Sequence, residues 1–208
     1  MNLFLGLLDY AAVLIFALTG ALVASRAQLD VVGFAFLACL TAVGGGTIRD
    51  LLLGRDPVFW VAQPAYLGVA VFAALVVFFT AHLLESRMRA ILWLDACALA
   101  VAVAAGAGVA LAMDQPAPVI VIMGMITGCM GGLMRDVVVG QVPLVLTQGE
   151  LYVTAAFAGS LAAVLSDSLA APDWATLAAC AATTLVLRAG SLLFGWRLPV
   201  YKARPPRQ

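Results

Sequence analysis

The stretch Gly45-Gly46-Thr47-Ile48-Arg49-Asp50-Leu51-Leu52-Leu53-Gly54-Arg55-Asp56-Pro57 recurs as Gly131-Gly132-Leu133-Met134-Arg135-Asp136-Val137-Val138-Val139-Gly140-Gln141-Val142-Pro143. Both read G-G-x-x-R-D-x-x-x-G-x-x-P, and an ungapped offset of 86 residues carries Gly45 onto Gly131. The same offset lays Asp9 over Asp95, Gly20 over Gly106 and Tyr66 over Tyr152. Two apolar segments can look alike through composition alone, but that does not produce a shared Arg-Asp pair inside both. The chain reads as a duplication.

Around this repeat the composition is that of a membrane protein. Hydrophobic residues make up 64% of the 208 and charged residues 11%, with a mean hydropathy of +1.09. A water-soluble domain is nearer half apolar and a quarter charged, and a chain this size still exposes much of its surface. Apolar runs near the ~20 residues a helix needs to cross the hydrocarbon core fall at about 5–24, 31–53, 65–84, 91–112, 119–139, 151–165 and 174–194. The sixth is the shortest. The polar breaks between them lie at 26–30, 55–57, 85–89, 114–118, 141–150 and 167–173. Continuous runs without period-2 alternation point to helices, not barrel strands. The N-terminal MNLFLGLLDY has no basic n-region and no cleavage signal, so it reads as the start of the first span.

Three spans per repeat is an odd number, so the second copy must cross the membrane in the opposite sense. The expected fold is all-α with seven transmembrane helices: an inverted 3+3 repeat (1–89 and 90–170) and a last helix with its tail (171–208). Inverted repeats of this kind are common in transport proteins, with the site at the repeat interface beside interrupted helices. The loops of one face carry Arg26, Arg87 and Arg89, and the tail adds Arg197, Lys202, Arg204 and Arg207. The other face carries Arg55, beside Asp56, Asp114, Asp167 and Asp173. Positive charge marks the cytoplasmic side, which puts the N-terminus outside and the tail inside.

The candidate site residues all sit in the repeated motif. Gly44, Gly45 and Gly46 in the second span, with Gly131 and Gly132 in the fifth, weaken their helices and permit a kink or break. A break would free backbone carbonyls to face a wet passage and a cation. The plainer reading is close packing, because Gly124, Gly128 and Gly132 make a small-xxx-small face with Ala38, Ala42 and Gly46 as its counterpart. Arg49, Asp50, Arg135 and Asp136 are charges placed in apolar helices, which must find partners or face a cavity. Neighbours on a helix point about 100° apart, so each Arg needs more than its adjacent Asp. Two pairings are open: across the repeats (Arg49 with Asp136, Arg135 with Asp50) or within them (Arg49 with Asp9, Arg135 with Asp95). The plainer alternative is that these side chains snorkel from helix ends and merely lock the fold. Arg188 has no repeat counterpart and reads as pointing to the inner surface.

Other residues carry less. Cys39, Cys97, Cys129 and Cys180 fall in apolar stretches with no paired spacing, as buried thiols do. Trp60, Trp93, Trp174 and Trp196 sit near span ends as interfacial anchors, and His82 reads as a surface residue. GGGTIRD lacks the Lys-Ser/Thr ending of a phosphate loop, and neither HExxH nor a nucleophile elbow occurs. No enzyme activity, cofactor, metal or nucleic-acid partner is expected.

The segment GGGTIRDLLLGRDPVFW at 44–60, the doubled GG-x-x-RD helix and the three-plus-three-plus-one layout resemble the prokaryotic branch of the trimeric intracellular cation (TRIC) channels over essentially the whole chain. The resemblance implies a homotrimer with one pore per protomer, lined largely by the second and fifth helices. It implies permeation by monovalent cations, chiefly potassium. Some bacterial members of the wider group are linked to glycine uptake, so a secondary transporter for a small zwitterion is the alternative. Lipid surrounds such a protein, but the basic lipid-binding motifs of the animal members have no clean match here.

Overall fold

The computed structural model describes residues 3–83, 87–147 and 150–199. Lys202, Arg204 and Arg207, on which part of the orientation argument rests, lie outside them. The described residues form eight α-helices: α1 (Leu3–Arg26), α2 (Val31–Leu52), the single turn α3 (Phe59–Ala62), α4 (Ala65–Thr80), α5 (Arg87–Ala112), α6 (Ala117–Val138), α7 (Val153–Ser168) and α8 (Asp173–Phe194). Six of them are long and apolar enough to cross a membrane. Helix α7 has 16 residues, about 24 Å at the helical rise, and is shorter than a ~30 Å hydrocarbon core. The expected seven spans are thus six full-length helices and one shorter apolar helix.

The repeated motif owes its third glycine to helix termination. Gly54 and Gly140 both have positive φ, +65° and +68°, the left-handed conformation that ends a helix at little cost only in glycine. The same two bonds close each end: Gly54 N–H to Leu51 O (3.2 Å) and Arg55 N–H to Asp50 O (2.8 Å), then Gly140 to Val137 (3.1 Å) and Gln141 to Asp136 (2.9 Å). The turns before the motif also match. Leu29 donates to Ala24 O and Gln115 to Ala110 O, with Gln28 and Asp114 in the left-handed region. Each of these pairs is separated by the 86-residue offset seen in the sequence.

Helix α5 occupies the middle. Its apolar window is 78% buried, against 33% for those of α4 and α8, and its run of Ala, Gly and Val lets neighbours approach closely. Outward-facing apolar residues such as Phe72 on α4, Phe79 on α4 and Leu193 on α8 are more than half exposed. A protein in water would not present so large an apolar surface, whereas lipid solvates it.

Candidate functional site

Helices α2 and α6 cross where both lack side chains. A Cβ on Gly45 would collide with the backbone carbonyl of Thr127, and one on Gly131 with that of Thr41. The contact is reciprocal, since Thr41 and Thr127 are themselves related by the repeat offset. A second reciprocal set supports the crossing from α1 and α5: Gly20 lies against Leu37 O and Thr41 Oγ1, and Gly106 against Met123 O and Thr127 Oγ1. The two threonine hydroxyls donate back into their own helices, to Leu37 O at 2.6 Å and Met123 O at 2.7 Å. Gly44 and Gly46 make room for Met134 and for the Phe59 ring, and Gly132 faces the Tyr152 hydroxyl.

Of the expected kink or break, the break does not occur. Helix α2 runs unbroken from Val31 to Leu52 and α6 from Ala117 to Val138, so no run of carbonyls is released at the glycines. The physical reason is close approach: the missing side chains let two backbones touch, and that contact keeps both helices wound.

One turn beyond the crossing lie the charged residues, all buried. Arg49 donates from Nη1 to Asp9 Oδ1 (3.1 Å) and from Nε to Asp50 Oδ1 (2.8 Å). Arg135 repeats this with Asp95 (2.8 Å) and Asp136 (2.7 Å). Of the two open pairings, the structure has the one within each repeat. Both arginines are 0% exposed, so they do not snorkel. The adjacent Asp does engage its Arg, through Nε, and the second carboxylate comes from α1 or α5. The remaining oxygen of each helix-end Asp binds the chain that follows, Asp50 Oδ2 taking Phe59 N–H and Asp136 Oδ2 taking Leu144 N–H, both at 2.9 Å. Each aspartate thus staples its helix to the loop after it.

Further partners complete the centre. Arg55 adds a second cation to Asp50 Oδ1 at 2.8 Å, and the Phe59 ring lies 5.5 Å from the Arg49 guanidinium. Thr19, whose repeat counterpart is Ala105, accepts from Arg135 Nη1 at 3.1 Å. Arg188 reaches from α8 to the loop between α6 and α7. It is buried, bonds Glu150 at 2.7 Å and lies 5.0 Å over the Tyr152 ring. Arg55 stood in plain view inside the motif. Thr19 and Glu150 had no signal, because their contacts join residues far apart in the chain.

Four charged atoms at this centre have no protein hydrogen-bond partner: Asp9 Oδ2, Arg49 Nη2, Asp95 Oδ2 and Arg135 Nη2. Leaving such groups dry is costly, so the centre suits water or a permeating ion. A pocket of about 10 Å³ lies there, bounded by Asp9, Phe16, Thr41, Gly45, Phe59 and Thr127. By this measure it has room for one water.

A buried crossing of two repeated helices, flanked by paired charges in a lipid-facing bundle, is an arrangement that recurs among membrane transport proteins. A family described as Glycine transporter matches twice, at residues 6–82 and 92–168, two stretches separated by the same offset as the motif. A UPF0126 membrane protein of Vibrio cholerae is 36% identical, covering 94% of this chain and 82% of its own. The UPF0126 inner membrane protein YadS of Escherichia coli is 34% identical over 93% and 94%. The TRIC trimeric intracellular cation channel orthologue from Rhodobacter sphaeroides superposes with a TM-score of 0.90 at 43% identity, over 93% of this chain and all of that one. A prokaryotic TRIC channel in 0.5 M KCl gives 0.87 at 28%, over 95% and 100%. The chain belongs to the prokaryotic TRIC channel family.

Proposed function

We propose that the protein is a channel for monovalent cations, chiefly potassium, with one passage in each protomer of a homotrimer. The observation that carries this reading is the α2–α6 crossing with its unpartnered charged atoms, in a fold shared with cation channels. Gly44, Gly45, Gly46, Gly131 and Gly132 form the narrow middle of the passage. Arg49, Asp50, Arg135 and Asp136 flank it, one pair toward each side of the membrane.

The balance of charge favours cations. Around the crossing stand four carboxylates (Asp9, Asp50, Asp95, Asp136) and three guanidiniums (Arg49, Arg55, Arg135), formally one negative charge in excess. Charge buried in a medium of low dielectric acts strongly on a permeating ion. Arg49 and Arg135, each held by two carboxylates, organise the acids, and their charge toward a cation is largely offset.

The reciprocal contacts, matching helix ends and doubled family match support two inverted repeats, 1–89 and 90–170, with 171–208 as an added helix and tail. Seven crossings then result, with α7 as the short one, the N-terminus outside and the tail in the cytoplasm of a cell whose inner membrane holds the protein. The alternative, a transporter for a small zwitterion such as glycine, is favoured by the family description and by the unpartnered carboxylate and guanidinium atoms of each half. The inner pocket, sized for a single water, places it second.

Purified protein in liposomes, assayed side by side for potassium flux and glycine uptake, tests the reading. Potassium flux without saturable glycine uptake is expected, together with a three-chain species on cross-linking in mild detergent. Glycine uptake with no potassium conductance would replace the channel by the transporter, and full activity in a stable monomer would remove the trimer.

A further inference from the structure

A second, larger cavity of about 990 Å³ opens where Leu5, Arg55, Ala112, Asp167, Asp173 and Thr176 come together. These residues come from the start of α1, the loop after α2, and the ends of α5, α7 and α8 that the proposed topology puts on the outer face. Leu5 precedes Asp9 by one turn on the same face of α1, a rise of about 6 Å. Leu5 lines this cavity and Asp9 lines the inner pocket, so the two spaces follow one another along α1. Arg55 joins them chemically: it lines the cavity while its Nη1 holds Asp50.

The cavity's chemistry selects for positive charge. Asp167 and Asp173 are exposed and outnumber Arg55, the cation of the wall, whose charge Asp50 offsets. The carbonyl ends of α5 and α7 finish beside them, at Ala112 and Ser168, and each carries partial negative charge. Asp173 sits in the first turn of α8, where it offsets that helix's positive end. Thr176 lines the same space; it is 1% exposed, and its Oγ1 has no protein partner, leaving a buried oxygen available to a ligand. The volume far exceeds that of a bare ion, so a cation here keeps its water and is held by the field of the walls.

We propose that this cavity is an outer vestibule that gathers hydrated monovalent cations and delivers them to the pocket at Asp9, past the Arg55–Asp50 pair. The proposal rests on the channel reading. Its test is an Ala112→Cys variant, with Thr176→Cys as a second position, treated from outside intact cells with membrane-impermeant cationic and anionic thiol reagents. Labelling is counted above that of the native chain, and rates are normalised to those with a small free thiol. The cationic reagent should react several-fold faster. That preference should fall toward unity in Asp167→Asn/Asp173→Asn and in high salt, which screens surface charge. Modification with a bulky reagent should also cut potassium flux in liposomes. Equal normalised rates overturn the electronegative vestibule, and undiminished flux after full modification overturns its place on the passage. Absence of potassium flux in the unmodified native protein overturns the channel reading itself and the delivery role with it.

Discussion

Alanine at Gly45 or Gly131 should destabilise the protein, although alanine normally strengthens a helix. In a helix interior, alanine is better than glycine by about 1 kcal/mol. At Gly45 the added Cβ would fall against the Thr127 carbonyl, inside the 3.0 Å limit that real Cβ atoms respect. A backbone carbonyl within a helix cannot rotate aside, so α2 and α6 must part by roughly 1 Å to reach van der Waals separation. Overpacking of this kind costs about 1–3 kcal/mol, so after the helix gain the expected net loss is up to about 2 kcal/mol at either site. The two sites share one crossing, so the double variant should lose less than the sum of the singles. Gly68 on α4 is the control. Nothing lies within 4 Å of its added Cβ, and Gly68→Ala should gain up to about 1 kcal/mol. Unfolding midpoints in detergent, read by loss of helical signal or by subunit dissociation, give the sign for each. If Gly45→Ala and Gly131→Ala match or exceed Gly68→Ala in stability, the crossing is not closely packed and the reasoning fails.

The buried pairs make a sharper test of connectivity. Arg49→Gln leaves Asp9 and Asp50 buried beside each other and should cost about 3–5 kcal/mol; a double-mutant cycle should show coupling of Arg49 with Asp9 and none with Asp136, and the reverse would restore the cross-repeat pairing. Glu150→Gln removes the anion from Arg188 and should cost about 1.5–3 kcal/mol, whereas an unchanged unfolding midpoint would leave Arg188 without a structural role. Arg55→Gln, which copies Gln141 of the other half, should raise single-channel potassium conductance by lifting a positive charge from the outer approach; a fall or no change would remove Arg55 from the passage. A cysteine placed at position 204 should be labelled only after the membrane is opened, and labelling from outside intact cells would reverse the topology.

Much of the fold was legible because lipid leaves few ways to satisfy a backbone, so apolar run length alone placed six long helices. The short α7 was also visible as the weakest run, but a length count does not decide whether 16 residues span. Asp9 and Asp95 could be named as partners of Arg49 and Arg135 because the repeat offset aligned them. The choice between their two pairings required packing. The glycines could be read either as weak points or as packing points, and the structure shows the contact, since sequence shows that side chains are missing and not what backbone fills the space. The burial of Arg188 beside Glu150 and Tyr152 lay beyond any local pattern.

The two halves share a frame and differ where charge is added to it. In the first half Arg49 and Arg55 both bond Asp50, and Asp9 completes a set of two cations and two anions. In the second half Gln141 stands at the position equivalent to Arg55, so Arg135 alone faces Asp95 and Asp136. Thr19 supplies Arg135 with a neutral acceptor from the first half, and Ala105, its counterpart, can supply none to Arg49. One half is therefore formally neutral and the other carries an excess negative charge, although their backbones repeat bond for bond at the helix ends. Under the proposed topology the neutral half faces outward and the negative half inward. A cation crossing between them moves toward the more favourable field on its way into the cell and against it on its way out. On the channel reading, duplication alone would give a symmetric pathway, and two differences at its flanks, Arg55 against Gln141 and Thr19 against Ala105, would give that pathway an asymmetric charge profile.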